Sequence, residues 1–175
     1  MSARSRQLPR RSCLSIPGSS EKMMGKGPNI PADMVFLDLE DAVAPKEKEA
    51  SRARIVSAIR GNDWGDKVLC VRVNDWSTKW TAYDIMEVVG GAGERLDEIM
   101  LPKVENAAQI VATDLLLRQV EIASGLPVGH IGIEAQIETA RGLINVEEIC
   151  AASPRVETII LCPADFAASM EMPVL

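Results

Sequence analysis

Histidine, aromatic residues and closely spaced cysteines are scarce in this chain, and each shortage removes a class of function. The only histidine, His130, precedes the apolar run of residues 130–138, at the wrong end of an expected strand for catalysis in an α/β protein. Histidine-based zinc sites and Ser-His or Cys-His nucleophile pairs are thereby nearly excluded. The four cysteines show no C-x-x-C spacing, which argues against a zinc ribbon or redox pair. Cys13, Cys70 and Cys162 fall in strand-like runs and Cys150 on a helical one, the pattern of buried free thiols in a reducing, cytoplasmic setting. Aromatic residues make up 3% of the chain and the net charge is −6, so a nucleic-acid platform, which needs stacking rings on a basic surface, is not expected. Trp64, Trp76 and Trp80 are expected to pack or to cover a pocket. No apolar run reaches membrane-spanning length. A phosphate loop is also wanting: the string GGAG at residues 90–93 follows a helix and precedes a strand, the reverse of the order that aims helix N–H groups at phosphate, and predicts a helix-ending turn.

What is present fits one ordinary globular core. The 175 residues are 47% apolar and 25% charged, enough for about one domain. Arg4, Arg6, Arg10 and Arg11 make residues 1–11 a basic arm, expected to be flexible; no apolar segment follows it, which argues against a secretory signal, whereas an organelle-targeting segment would share its Arg- and Ser-rich character. From residue 12 onward short apolar runs alternate with helical patterns. The predicted strands are residues 12–17, 34–40, 67–74, 98–103, 130–138 and 157–163, each bounded by turn residues. The predicted helices are residues 19–27, 46–60, 81–90, 105–124 and 140–152. In the fourth, Ile110, Leu115, Leu117 and Ile122 suggest an apolar side, widened by Val111, Leu116 and Val120. Strict β-then-α alternation implies parallel strands joined by right-handed crossovers.

Charge collects at the C-terminal ends of these strands: Asp38, Glu40 and Asp41 after the second, Arg72 and Asn74 on the third, Lys103 and Glu105 after the fourth, Glu134, Gln136 and Glu138 on the fifth, Asp165 after the sixth. Because strand side chains alternate, Asp38 and Glu40 oppose Leu37 and Leu39, and Glu134, Gln136 and Glu138 oppose Ile133, Ala135 and Ile137. One face packs on helices and the other points inward, which a barrel explains better than an open sheet. Glu138 and Asp165 lie one βα unit apart, at equivalent points of neighbouring strands. Two such acids can hold a hard divalent cation, which uses few protein carboxylates and leaves other positions to water and substrate. Each could equally cap the helix that follows it.

Several runs occur in order along the chain: PGSSEKM, FLDLEDAVAP, VRVND, IMLPKVEN, IGIEAQIETARGLINVEEI and PADFAAS. Together they resemble the citrate lyase β-subunit branch of the HpcH/HpaI aldolase superfamily, and within it the L-malyl-CoA/β-methylmalyl-CoA and related C4-dicarboxyl-CoA lyases. The resemblance covers nearly everything after residue 10. It implies an α/β fold, a TIM-type (β/α)₈ barrel, and a reaction that makes or breaks a carbon–carbon bond between an acyl-CoA and a 2-oxo acid such as glyoxylate or pyruvate, with Mg²⁺ or Mn²⁺. By that likeness Glu138 and Asp165 are the metal ligands and Arg72 binds substrate oxygens. Asp38, Glu40 and Asp41 form the acidic cluster that organises water or moves protons. Residues 163–166, with Ala164, Asp165 and Phe166, form a backbone N–H cradle for the oxo-acid carboxylate, and Lys22 and Lys26 contact the CoA phosphates. A homo-oligomer, trimer or hexamer, is implied as well. The other reading of Arg72 is a structural ion pair with the second-strand acids.

The chain departs from this pattern in three ways. It carries about six of the eight βα units, so residues 12–175 are expected to form an incomplete barrel whose first and sixth strands leave apolar edges. A non-catalytic fragment that self-associates is therefore the competing reading. Cys162 stands where the resemblance predicts glycine, and the ending MEMPVL is unlike the family. Lys103, at a strand end, allows a Schiff-base aldolase without metal, against a plain ion pair with Glu105 or a barrel acid.

Overall fold

The computed structural model describes residues 8–173. Six parallel strands, β1 (Cys13–Pro17), β2 (Met34–Asp38), β3 (Val68–Arg72), β4 (Glu98–Leu101), β5 (Gly132–Ile137) and β6 (Val156–Leu161), pair in sequence order. The crossovers carry α1 (Glu21–Met24), α2 (Lys48–Gly61), α3 (Thr81–Ala92), α4 (Ala107–Ala123) and the pair α5 (Ala140–Ile144) and α6 (Val146–Ala151); α7 (Pro163–Ser169) follows β6. Sequential order of neighbouring parallel strands is the order of barrel staves.

The two faces of the sheet differ as the alternation requires. Val35, Leu37, Leu69, Val71, Ile99, Leu101, Ile133, Ala135 and Ile137 face outward into the main core against Ile55, Ile59, Ile85, Val88, Ile110 and Leu117 of the helices. Met34, Val68, Cys70 and Met100 form a separate apolar layer inside the curve of the sheet, with Phe36 and Leu8 against it. Charged groups lie on both sides of that layer. Below it, Arg10 donates to Glu98 (3.2 Å) and Glu157 (3.1 Å); above it lies the C-terminal rim with Asp38, Arg72 and Glu138.

Several local expectations are corrected. Part of the expected flexible arm, residues 1–7, lies outside the described residues, but Arg10 is held inside the sheet and Arg11 grips Asp33 through two guanidinium bonds of 2.9 Å. On α4 the buried face is Ile110, Thr113, Leu117, Val120 and Glu121, whereas Leu115 and Ile122 are 59% and 61% exposed. The helix is rolled by Glu121, whose carboxylate accepts Arg155 Nη2 at 2.7 Å and the Ile131 N–H at 2.9 Å. The helix expected over residues 140–152 breaks at Asn145, which closes α5, opens α6 and donates its side-chain amide to the Glu105 carbonyl. Gly90 and Gly91 lie within α3, and Gly93 caps it. Of the cysteines only Cys70 is buried; Cys13 and Cys150 are exposed and Cys162 is intermediate. Trp64 fills the core, Trp76 Nε1 donates to Thr113 Oγ1 at 3.0 Å, and Trp80 lies under the ammonium groups of Lys48 and Lys79.

Two glycines let the rim close up. A side chain at Gly18 would meet the Asp38 carbonyl and Ile55, and Gly18 N–H donates to that carbonyl at 2.8 Å. A side chain at Gly142 would strike the Val104 carbonyl. These contacts hold the ends of β1 and β2 at backbone distance and let α5 close against the segment after β4.

Candidate active site

The rim is organised around one guanidinium. Asp38 and Arg72 are register partners on β2 and β3, both inward, so the carboxylate and guanidinium meet in a bidentate pair: Nε to Oδ1 at 2.8 Å and Nη2 to Oδ2 at 2.7 Å. Asp38 also accepts the N–H groups of Glu40 (2.8 Å) and Ala42 (3.0 Å). Its four acceptor directions are thus filled. Burial alone would raise its carboxyl, but the Arg72 bonds outweigh burial and hold it below the ordinary carboxylate value. Asp38 thus anchors Arg72. The remaining nitrogen of Arg72, Nη1, lies 3.1 Å from Glu40 Oε2 and 3.8 Å from Asp41 Oδ2, and the guanidinium stacks over the Phe36 ring. Glu40, buried, is also bridged by Lys103 Nζ. Burial raises its carboxyl in spite of both cations. Asp41 sits at the outer edge with its side chain 58% exposed.

Across the rim the ends of β5 and β6 bring three potential ligands together. One oxygen of Glu138, Cys162 Sγ and one oxygen of Asp165 lie within 4.8 Å of one another. Glu138 is 2% exposed, yet neither carboxylate oxygen has a hydrogen-bond partner among the described residues. Burial first, then the negative charges of Glu40 and Asp165, push its carboxyl up to about 7. A buried, unpartnered carboxylate is costly unless a cation or proton completes it. The donor set therefore fits a divalent cation: the orphaned oxygens of Glu138 face Asp165, and Arg72 and Lys103 lie near enough to favour the charged form. Neither acid caps a helix in the way the alternative reading required. Thr139 caps α5 through the Gly142 N–H, and Asp165 lies inside the first turn of α7, where it accepts Cys162 Sγ at 2.7 Å.

This geometry can be set beside known proteins. The sequence profile of the HpcH/HpaI aldolase/citrate lyase family matches residues 11–173. The chain belongs to that family. Among its relatives, an L-malyl-CoA/β-methylmalyl-CoA lyase of Cereibacter sphaeroides is 45% identical over 164 residues, which cover 94% of this chain and 51% of that protein. A malyl-CoA/β-methylmalyl-CoA/citramalyl-CoA lyase of Chloroflexus aurantiacus is 39% identical over 159 residues, 90% of this chain and 45% of that one. In structure, the chain is similar to the protein CitE of Mycobacterium tuberculosis in complex with magnesium, acetoacetate and coenzyme A, with a TM-score of 0.71 at 30% identity over 97% of this chain and 54% of that one. The chain spans about half the length of the curated relatives it matches.

The other positions singled out in this HpcH/HpaI family member are spread around the same rim. Lys22 and Lys26 are exposed after β1. In the expected N–H cradle, Pro163 has no N–H, the Phe166 N–H donates to the Cys162 carbonyl at 3.0 Å and the Asp165 N–H faces the Cys162 sulfur, so Phe166 closes the helix turn and Asp165 is already engaged. Lys103 pairs with Glu40 and approaches Asp41, not Glu105, which instead faces Arg141. Burial lowers the ammonium of Lys103, but Glu40 outweighs it and keeps it raised, the opposite of what a Schiff-base lysine needs. Two supports escaped the sequence reading. Lys48 Nζ donates to the Leu39 and Glu40 carbonyls (2.8 Å each) and to Asn74 Oδ1 (2.6 Å), fixing the acidic turn after β2. Lys103 itself holds a positive φ of 51°, a conformation uncommon outside glycine and asparagine that aims its side chain across the rim. An alternating Lys-Glu segment and an ordinary strand end gave no local sign of either.

Proposed function

We propose that this protein acts as a metal-dependent carbon–carbon lyase, cleaving or forming a 3-hydroxyacyl-CoA such as malyl-CoA or a methylated homologue, with an acyl-CoA and a 2-oxo acid, glyoxylate or pyruvate, on the other side of the equation. The observation that carries the reading is Glu138: a buried carboxylate with both oxygens unpartnered, facing Asp165 on a rim that also holds Arg72. Family membership and the names of the relatives support it.

A divalent cation held by Glu138 and Asp165, Mg²⁺ or Mn²⁺, would supply Lewis-acid polarisation of the hydroxyl and carboxylate oxygens of the substrate. The residues of the chain do the rest. Asp41, exposed at the rim, accepts the hydroxyl proton, or Glu40 does so through a water. The carbon–carbon bond then breaks, its electron pair passes to the acyl-CoA carbon as the enolate, the carbinol carbon becomes the carbonyl of the oxo acid, and the proton taken from the hydroxyl returns to the enolate carbon to give the acyl-CoA. Arg72, held rigid by Asp38, places fixed positive charge beside the developing oxyanion, and such preorganised donors contribute about 3 kcal/mol each. The N–H group of Ala164, joined by that of Asp165 once it turns from the Cys162 sulfur, binds the oxo-acid carboxylate. Lys22 and Lys26 lie at the same end of the barrel, where CoA phosphates would pass.

The test is cleavage of malyl-CoA followed by appearance of glyoxylate as its hydrazone, with and without EDTA. Turnover that requires Mg²⁺ and disappears in Glu138→Ala is the expected result; absence of both turnover and metal binding overturns it. A second reading, a non-catalytic barrel piece that self-associates, is favoured by β6, whose Ile159 and Leu161 are exposed and which pairs only with β5 among the described residues. Size-exclusion chromatography separates the two: aggregate without turnover supports the second, a defined species with metal-dependent turnover the first.

A further inference from the structure

The third member of the rim cluster is a thiol, and its placement is as tightly specified as that of the two acids. Cys162 follows β6 and precedes α7, and its backbone N–H donates to the Ile137 carbonyl at 3.0 Å, so residue 162 is pinned next to Glu138 across the β5–β6 pair. Its Sγ donates to Asp165 Oδ2 at 2.7 Å. The thiol thus lies beside both carboxylates, with one oxygen of each and Sγ inside a 4.8 Å set. Glu138 supplies an independent sign that a ligand belongs there, because it is 2% exposed and both its oxygens lack partners. Ligand atoms on one metal ion lie about 3–4 Å apart, given bonds of about 2.0–2.3 Å, so small rotations of these three side chains suffice.

We propose that Cys162 is a third protein ligand, so that the site binds thiophilic divalent ions such as Zn²⁺ or Co²⁺ as a Glu-Cys-Asp set and prefers them over Mg²⁺. The inference rests on the proposed metal site and goes beyond it, because an all-oxygen pair of acids selects hard cations whereas a thiolate shifts the preference towards softer ones. On binding, the Sγ–H bond breaks, a metal–sulfur bond forms, and the proton shared with Asp165 leaves to solvent. Three protein ligands with open positions left for water and substrate is also the donor count of catalytic zinc sites.

Cobalt reports the sulfur directly. Titration of the full chain with Co²⁺ under reducing conditions is expected to give a near-ultraviolet thiolate-to-cobalt charge-transfer band that saturates at one equivalent and is lost in both Cys162→Ser and Glu138→Gln. Calorimetry of the same proteins is expected to show Zn²⁺ binding weakened at least about tenfold in Cys162→Ser, with Mg²⁺ binding changed by less than about threefold. Circular dichroism of the variants checks the fold, and the unsubstituted chain gives the band without any substitution. Cobalt bound with no charge-transfer band, or a band that survives Cys162→Ser, overturns the role of Cys162 while leaving the two-acid site standing. Failure to bind Co²⁺, Zn²⁺, Mg²⁺ and Mn²⁺ alike overturns the metal site itself, and Cys162 with it.

Discussion

Glu138→Gln isolates the cost of keeping a charge at the rim. The carboxylate is buried with neither oxygen partnered, and burial together with Glu40 and Asp165 lifts its carboxyl from 4.5 to about 7; Lys103 and Arg72 oppose this without cancelling it. A carboxyl that is harder to ionise folded than unfolded contributes most stability below its unfolded value, and stability is lost as pH rises from about 4.5 through 7. At pH 8 the ionised group therefore costs about 3 kcal/mol. Glutamine keeps the shape and removes the charge but buries an amide, which returns about 1–2 kcal/mol of that gain. In EDTA at pH 8 the variant should be more stable than the parent by about 1–2 kcal/mol, and at pH 5 the order should invert. Urea midpoints at the two pH values measure this. Saturating Mg²⁺ at 100 times its Kd should then stabilise the parent by about 2.7 kcal/mol and leave the variant unmoved. A variant no more stable than the parent at pH 8 in EDTA would refute the view that Glu138 is an uncompensated buried charge waiting for a cation.

Other consequences are equally direct. Arg72→Ala leaves Asp38 and Glu40 buried without their shared cation and should destabilise by about 3–5 kcal/mol in urea unfolding; a loss under 1 kcal/mol would show that the rim relaxes into water. Gly142→Ala forces a methyl group onto the Val104 carbonyl and should cost about 1–3 kcal/mol, whereas Gly61→Ala, which meets nothing, should be neutral or stabilising. At the opposite end of the barrel, burial first and then Glu134 and Glu157 push the Glu98 carboxyl up to about 7 against the pull of Arg10; carbon-detected NMR should find its midpoint there, with stability falling between pH 4.5 and 7. Borohydride trapping with glyoxylate or pyruvate should leave Lys103 unmodified, since its ammonium is held charged by Glu40; a trapped adduct at Lys103 with full activity in EDTA would replace the metal reading.

Much of the site could be read from alternation alone. Once residues 34–40 and 130–138 are strands, a period of two places Asp38, Glu40 and Glu138 on the face opposite the helix-packed Leu37, Leu39 and Ile137, and parallel order brings the C-terminal ends of neighbouring strands side by side. Arg72 meets Asp38 for the same reason, because in-register residues of adjacent strands share a face. Period gives the face of a residue but not its partner. Whether Arg72 points at substrate or at Asp38, and whether Lys48 is solvated or buried beneath residues 39 and 40, depends on loops that alternation does not describe.

The roll of α4 shows why partner choice overrides pattern. By hydropathy, burying Leu115 and Ile122 would gain more than burying Thr113 and Glu121, and full burial of one such side chain is worth about 1.5–3 kcal/mol. Yet Glu121 lies inside, bridged by both Arg155 Nη1 (2.8 Å) and Nη2 (2.7 Å) and accepting N–H groups of Gly129 and Ile131. Burial raises its carboxyl, and these bonds outweigh burial and hold it low. Arg155 also reaches Asp114 and the Ile131 carbonyl, so one guanidinium ties α4 to the starts of β5 and β6. Turning Leu115 and Ile122 inward would strand Arg155 between strand ends without a counter-charge, a loss of about 3–5 kcal/mol. The ion pair therefore outweighs the apolar stripe, and the same rule governs the rim, where Asp38 and Glu40 are held by Arg72 and Lys103 while both oxygens of Glu138 stay without a hydrogen-bond partner among the described residues.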